Sequence, residues 1–294
     1  MKNFHGLSVG VLENDQIRLE YLTSAGPRIV GLSFHGSTNL LADVFDMAWD
    51  TPNGKYFPLG GHRVWISPES AEKTYIPDRT GLSVREISRG VELISASETV
   101  SGVRKTVRIE MEPGAARLSL YQTIVNEGSS PQTFAPWGIT QFCLGGTVLL
   151  PQPVGNTDPQ GFLPNRLLVL WPYTSVHDDR LRLRDDFILI RANGALPPMK
   201  LGYANRAGWL AYWSNGILFR KSFEMVASAT YPDGGCNAEV YCGDRFVELE
   251  SLGVLGTVAP GKGVQLNETW ELYPDLDVSF IPAEIRELLS EKKI

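Results

Sequence analysis

The most chemically informative segment of the sequence is the acidic stretch of residues 246–253, FVELESLG. In an extended strand, alternate side chains point to the same side of the sheet, so Glu248 and Glu250 share one face. The intervening Val247 and Leu249 point to the other. If the acidic face is solvated, the pattern is that of an ordinary amphipathic strand. If it lines a cleft, the pair raises the pKa of one carboxyl and creates a general acid or base. Composition leaves both interpretations open.

A second informative segment is residues 60–69, GGHRVWISPE, which is predicted to be a loop. It brings an imidazole, a guanidinium, an indole and a carboxylate together behind a glycine pair, in His62, Arg63, Trp65 and Glu69. Glycine allows the backbone to approach a ligand closely, Arg and Glu hydrogen-bond neighbouring hydroxyls, and an indole packs on sugar C–H groups. This mixture is typical of a ligand site. The alternative is a loop with one salt bridge and a buried tryptophan.

Two further segments contribute candidate sugar contacts. Residues 134–142, FAPWGITQF, supply Trp137 and Gln141. Trp137 is either a stacking platform or a core residue, since tryptophan is often buried. Residues 200–213 are rich in cations and aromatics, and Lys200 or Arg206 are candidates to contact ligand hydroxyls. Both are equally interpretable as solvated loop charges, which is the more ordinary reading of a surface cation.

The elements that must position these residues are predicted to be β-strands, because apolar and polar residues alternate with a period of two along most of the chain. Clear examples are residues 17–21, 103–110 and 117–124, each bounded by turns rich in Gly, Asn and Pro. Residues 282–289 open with proline and predict a short C-terminal helix. The predicted fold is therefore all-β, a large antiparallel β-sandwich or a barrel, formed by residues 1–294 as a single domain with that helix packed on it.

The composition of the chain limits the classes of molecule that it is expected to bind. The chain has 294 residues, 43% of them hydrophobic, and a formal net charge of -6, which disfavours nucleic acid and anionic membranes. The three cysteines show no zinc-binding spacing, and no glycine-rich phosphate-binding motif is present. No signal peptide is recognisable at the N-terminus, so a cytoplasmic location is expected. The expected partner is a small-molecule carbohydrate, without a metal or an organic cofactor. The oligomeric state stays open.

The order of these segments resembles the galactose mutarotase-like superfamily, which contains the aldose 1-epimerases, and the likeness covers most of the chain. The segments that carry it are residues 26–32 (GPRIVGL), 36–41 (GSTNLL), 125–128 (VNEG), 246–253 (FVELESLG), 259–261 (APG) and 268–273 (ETWELY). Residues 205–223 and 231–253 are similar to an uncharacterised bacterial branch of that superfamily. The resemblance implies a supersandwich fold and a sugar-binding concave cleft, and it maps the family's catalytic glutamate to Glu250.

The resemblance has one important departure. Aldose 1-epimerases of this type carry an acid-supplying histidine where this chain has residues 135–138, APWG. His62 or His177 would have to supply an imidazole from elsewhere. In the expected mechanism, Glu250 removes the proton from the anomeric hydroxyl and His62 protonates the ring oxygen.

In this expected site, the remaining candidates bind the sugar. Glu248 is expected to bind the sugar and to tune the pKa of Glu250. The residues expected to orient hydroxyls or stack on the ring are Arg63, Glu69, Gln141, Lys200, Trp65 and Trp137. Two alternatives remain open: a saccharide-binding domain without catalysis, which the missing histidine favours, and a protein related to sugar hydrolases or lyases.

Overall fold

The computed structural model describes residues 3–291, and its regular structure is almost entirely β. In chain order the elements are β1 (Asn3–Phe4), β2 (Leu7–Glu13), β3 (Ile17–Leu22), β4 (Ile29–Phe34), β5 (Asp43–Val44), β6 (Trp49–Thr51), β7 (Gly54–Tyr56), β8 (Leu59–Gly60), β9 (His62–Ser67), β10 (Ser83–Ile87), β11 (Gly90–Ile94), β12 (Val103–Met111), β13 (Arg117–Asn126), β14 (Gln132–Phe142), β15 (Thr147–Pro151), β16 (Leu168–Leu170), β17 (Leu181–Leu183), β18 (Phe187–Arg191), β19 (Met199–Tyr203), β20 (Trp209–Ser214), β21 (Ile217–Phe223), β22 (Ala238–Cys242), β23 (Val247–Leu252), β24 (Gly256–Val258), β25 (Gly263–Tyr273) and α1 (Ala283–Ser290).

Two large antiparallel sheets face each other. The front sheet has eleven strands in the order β1-β2-β3-β4-β9-β14-β23-β22-β19-β16, with β24 paired to β14. The back sheet has ten, in the order β10-β11-β12-β13-β25-β21-β20-β15-β18-β17. One continuous apolar core lies between them and takes side chains from both, such as Ile66 and Val240 from the front and Leu120 and Phe219 from the back. The predicted antiparallel sandwich is confirmed.

The sequence alternation is reproduced in the burial of individual strands. Along β12 every second residue, including Val107 and Ile109, is buried in the core, and the residues between them are exposed or half-buried. β13 alternates in the same way and pairs with β12 over its length. The predicted strands at 17–21, 103–110 and 117–124 all exist, since one side of each faces the core and the other faces solvent.

The helix α1 packs on the side of the back sheet that faces away from the front sheet. Its buried residues Ile285 and Leu289 contact an apolar cluster that includes Leu149, Trp209 and Leu218. The predicted terminal helix is thus confirmed, with a start at Ala283 directly after Pro282. Within residues 3–291, no helix has both the length and the apolar character that crossing a bilayer requires.

Residues 62–67 form strand β9 at the centre of the front sheet, which corrects the prediction of a loop. The preceding glycines, Gly60 and Gly61, allow close packing against neighbouring backbone rather than approach to a ligand. A Cβ on Gly60 would lie 2.0 Å from the carbonyl oxygen of Ala42, and one on Gly61 would lie 1.8 Å from that of Ile29. Both glycines also have positive φ. The strand alternates, so His62 and Val64 point into the sandwich, whereas Arg63 and Trp65 point out of it.

Candidate functional site

The polar candidates converge on the side of the front sheet that faces away from the back sheet, here called the outer face. Along the five central strands of the front sheet, one set of alternate residues, such as Val64, Val240 and Leu249, faces the core. The strand register therefore places alternate residues together on the outer face. They are Arg63 and Trp65 of β9, Trp137, Ile139 and Gln141 of β14, Glu248, Glu250 and Leu252 of β23, Glu239 and Tyr241 of β22, and Lys200 and Gly202 of β19.

Glu248 is held by two donors from neighbouring strands. Its Oε1 accepts hydrogen bonds from Arg63 Nη2 at 3.0 Å and from Gln141 Nε2 at 2.9 Å. The Arg63 guanidinium also lies over the ring of Trp65, with 4.1 Å between Cζ and the ring centroid. The Glu248 side chain is 11% exposed, so this carboxyl lies at the accessible end of the polar group.

Glu250 lies deeper, in a second polar group built around one ammonium. Lys200 Nζ is 2.9 Å from Glu250 Oε2 and 2.8 Å from Glu239 Oε2. The indole Nε1 of Trp137 donates to the same Glu250 oxygen at 2.8 Å. The ammonium also lies 4.6 Å and 4.7 Å from the ring centroids of Trp137 and Trp171. Glu239 and Glu250 have no exposed side-chain surface, so an aromatic and acidic enclosure surrounds Lys200.

Burial sets the proton affinities of this group. It raises the pKa of Glu248 to about 7, with Glu250 adding to the effect and Arg63 opposing it. Burial likewise raises the pKa of Glu239 well above its usual range, although Lys200 opposes the shift. For Lys200 burial acts in the other direction, but Glu250 and Glu239 outweigh it and raise its pKa. The outer face therefore combines a permanent cation with carboxyls that hold protons near neutral pH.

Several buried atoms of the outer face have no hydrogen-bond partner among the residues that the structure describes. They are Arg63 Nε and Nη1, Gln141 Oε1, Glu239 Oε1 and Glu250 Oε1. Buried polar atoms are normally paired, and a cluster of unpaired ones marks a place where a ligand or water is expected. Because the set includes donors and acceptors side by side, it suits a ligand with several hydroxyl groups.

Aromatic side chains from loops surround the polar group. Tyr75 packs edge-on against Trp65 at 5.1 Å between ring centroids, and its hydroxyl donates to the exposed Glu69. Tyr173 is 50% exposed, and burial of the rest of its ring raises its pKa, with Lys200 opposing the shift. Glu69, predicted to bind the sugar, therefore lies at the periphery, where it orients a tyrosine.

An open cavity of about 210 Å³ adjoins Arg63 and Trp65 and is also lined by polar residues such as Asp78, Thr80 and Ser97. Neither Glu248 nor Glu250 belongs to its lining in the part of the chain that the structure describes. The two carboxyls therefore lie outside this cavity: Glu248 bonds to Arg63 at its edge, and Glu250 contacts Lys200, whose ammonium lies over Trp171.

No protein-family model matches the chain, and no curated protein is similar to it in sequence. Solved structures do match. A candidate aldose 1-epimerase from Escherichia coli K12 is 13% identical over 91% of this chain and 99% of that one, with a TM-score of 0.58. A galactose mutarotase related enzyme from Lactobacillus acidophilus is 11% identical over 92% and 99%, with a TM-score of 0.52. A TPR-domain containing protein from Parabacteroides distasonis is 11% identical over 94% of this chain and 49% of that one, with a TM-score of 0.64.

The chain has the galactose mutarotase-like fold. At these identities the likeness establishes the architecture, and one architecture supports many chemistries. The resemblance seen in the sequence is thus confirmed at the level of the galactose mutarotase-like fold, and the chemistry has to be argued from the residues of the outer face.

Within this galactose mutarotase-like fold, His62 lies on the opposite side of the front sheet from Glu250. Its ring is 1% exposed and bonded at both nitrogens, with Nδ1 2.9 Å from Thr140 Oγ1 and Nε2 3.0 Å from Gln122 Oε1. Burial lowers its pKa to about 3, so the imidazole is neutral. The front sheet therefore separates His62 from Glu250, which disfavours the expected acid–base pair. The other candidate, His177, lies exposed in the loop after β16.

Sequence reasoning brought together Arg63, Trp65, Trp137, Gln141, Lys200, Glu248 and Glu250, and the structure places all seven on the outer face. Lys200 is a buried strand residue rather than a solvated loop charge. Glu239 was missed, although the alternation of residues 238–242 (AEVYC) points it away from the core. Trp171 was missed because nothing in the sequence places its loop over β19.

Proposed function

We propose that this protein binds an aldose on the outer face of the front sheet and interconverts its anomers by acid–base catalysis. Glu250 is the base that takes the proton of the anomeric hydroxyl. Glu248, rather than His62, is the acid that protonates the ring oxygen. The observation that carries the proposal is the pair itself: two carboxyls on one strand face, one 2.9 Å from the ammonium of Lys200 and one with a pKa of about 7.

The reaction balances without a cofactor. As Glu250 takes the proton from the anomeric oxygen, the bond between the anomeric carbon and the ring oxygen breaks, and the ring oxygen receives a proton from Glu248. The open-chain aldehyde rotates about the bond between its first two carbons. Ring closure on the other face of the carbonyl returns both protons. A pKa near the working pH suits the acid, because Glu248 is then partly protonated before the reaction and regains its proton afterwards.

The remaining outer-face residues have binding roles in this proposal. The free Nε and Nη1 of Arg63 and the free Oε1 of Gln141 hydrogen-bond sugar hydroxyls. Trp65 and Trp137 pack against the apolar side of the ring. Because the Glu250 side chain has no exposed surface, the sugar reaches it only after neighbouring side chains move aside.

The decisive experiment compares wild-type protein with Glu250→Gln. The rate of anomer interconversion is measured by polarimetry on freshly dissolved α-glucose and α-galactose, and sugar affinity by calorimetry. The amide keeps the shape of the side chain but cannot accept the proton, so the enzymatic rate should fall at least about 100-fold while affinity changes little. Equal catalysed rates in the two proteins would remove Glu250 from the mechanism.

A second function, saccharide binding without turnover, is favoured by one specific observation. Glu250 is fully buried and already engaged by Lys200 and Trp137. The same experiment separates the two functions. A pure binding protein would show sugar affinity in the wild type, no acceleration of anomer interconversion, and unchanged affinity in Glu250→Gln.

A further inference from the structure

A cluster of four polar residues lies between the two sheets, directly beneath the outer face. It consists of Lys221 on β21, Glu268 and Trp270 on β25, and Ser251 on β23, here called the interior cluster. Lys221 Nζ is 3.3 Å from Glu268 Oε1, and neither side chain has exposed surface. This is a charge pair in the apolar core of a sandwich, and the proposed mechanism makes no use of it.

The ammonium of Lys221 joins the back sheet to the two strands that carry the proposed site. It donates to the backbone carbonyl of Gly138 on β14 and to that of Leu249 on β23, each at 3.1 Å. Leu249 lies between Glu248 and Glu250 in the chain, and Gly138 directly follows Trp137. The contacts therefore fall on the peptide units from which the outer-face side chains project.

The carboxylate of Glu268 completes the cluster. It accepts a hydrogen bond from Trp270 Nε1 at 2.8 Å and another from the hydroxyl of Ser251. Room for it is made by Gly138, because a Cβ there would lie 2.4 Å from Glu268 Oε1. Within residues 3–291, no buried side-chain atom of this cluster lacks a partner, whereas several atoms of the outer face do. The hydrogen bonds of the interior cluster are thus satisfied within the cluster, whereas the outer face retains polar atoms that are free to bind a ligand.

Stability alone does not account for the charge pair. Removing two charges from water costs more free energy than burying apolar side chains of the same size, so such pairs are often replaced without loss of stability. Uniqueness of arrangement is the better-attested use of buried polar groups. Here the bonds are directional and cross from one sheet to the other at the strands of the site.

We infer that Lys221 and Glu268 are positioning residues that fix β14 and β23 against the back sheet and so hold Glu248 and Glu250 aligned for proton transfer. The inference rests on the proposed function for its kinetic readout. Neither residue touches the sugar. Their effect is exerted through the backbone of Gly138 and Leu249.

The test is the double variant Lys221→Met/Glu268→Gln, which removes both charges together and retains an acceptor for Trp270. The fold should persist, with an unfolding midpoint within about 5 °C of wild type. kcat for anomer interconversion should fall at least about tenfold with KM within about twofold, because misplaced groups lose proton transfer and not sugar binding. The pKa of Glu248, followed by carbon-13 NMR of its carboxyl, should shift by about 0.5 or more.

The matched control is Arg180→Met/Asp178→Asn, which removes another nearly buried pair, 2.7 Å apart, that makes no hydrogen bond to β14 or β23 in residues 3–291. It should leave kcat and the pKa of Glu248 unchanged. Unchanged kcat and an unchanged Glu248 pKa in the folded Lys221→Met/Glu268→Gln protein would overturn the inference.

Two further outcomes are distinguishable. If the wild type shows no catalysis, the proposed function fails. The positioning inference is then judged by the pKa of Glu248 alone: a shift in Lys221→Met/Glu268→Gln supports it, and an unchanged pKa refutes it. If the double variant does not fold, Ser251→Ala removes the hydroxyl that donates to Glu268 and accepts from Lys221 Nζ at 3.4 Å, without removing a charge. A fall in kcat of about threefold with an altered Glu248 pKa then supports positioning, and no change in either refutes it.

Discussion

At the scale of single residues, Glu248 shows how opposing effects set the pKa of a buried carboxyl. Burial favours its neutral form, Arg63 favours its charged form, and burial prevails, so that the pKa is about 7. Glu250, by contrast, accepts hydrogen bonds from Lys200 and Trp137. Two glutamates separated by one residue thus have different environments, and the proposed division into an acid and a base rests on this difference.

The raised pKa of Glu248 predicts how stability depends on pH. Between its ordinary value of 4.5 and about 7, the folded protein holds a proton that the unfolded chain has released. The free energy of unfolding should therefore fall as pH rises through this window, by roughly 3 kcal/mol from this residue. Glu248→Gln cannot titrate, so urea unfolding measured from pH 4 to 8 should show a flatter curve for the variant. Parallel curves would contradict the assigned environment of Glu248.

At the scale of elements, the site depends on how β9 enters the sheet. Its first residue, His62, is preceded by two glycines that pass close to the carbonyl oxygens of Ala42 and Ile29. This close approach sets which residues of β9 face outward. A shift of one residue would put His62 on the outer face and Arg63 in the core, because strand side chains alternate. The expected loop was wrong because residues 62–67 alternate as a strand, and the same alternation turns His62 away from the outer face.

The role of Gly61 can be tested against a matched glycine. Gly61→Ala places a Cβ 1.8 Å from the Ile29 carbonyl oxygen, whereas Gly36, which also has positive φ, has no atom within 4 Å of its Cβ position. We expect Gly36→Ala to cost about 1 kcal/mol from backbone strain and Gly61→Ala about 3 kcal/mol or more. Urea denaturation of both variants gives the two values. Equal losses would show that close packing at Gly61 is unimportant.

At the scale of the whole molecule, the sandwich separates the proposed site from the terminal helix. The polar group lies on the outer face of the front sheet, and α1 covers the far side of the back sheet. The apolar core lies between them. Stability contributed by the helix and chemistry on the outer face should therefore respond to different substitutions.

Ile285→Ala tests this separation. Ile285, on α1, is fully buried against the back sheet, so its truncation should lower the free energy of unfolding by about 2 to 4 kcal/mol. The exposed Glu287 on the same helix is the control, and Glu287→Ala should change stability by less than about 0.5 kcal/mol. Neither variant should alter sugar affinity or kcat at 25 °C. A loss of sugar affinity in folded Ile285→Ala protein would show that the two faces are coupled.

The antiparallel strands could be predicted from the sequence alone, because periodic alternation such as that of residues 103–110 and 117–124 is satisfied by strands with one side in a core, and the family resemblance selected the sandwich. The sequence also determined that Glu248 and Glu250 share a face, since that depends on neighbours along one strand. It could not determine which residues of other strands join them. That depends on register between strands distant in the chain, which placed Lys200 and Glu239 beside Glu250 and turned His62 into the core.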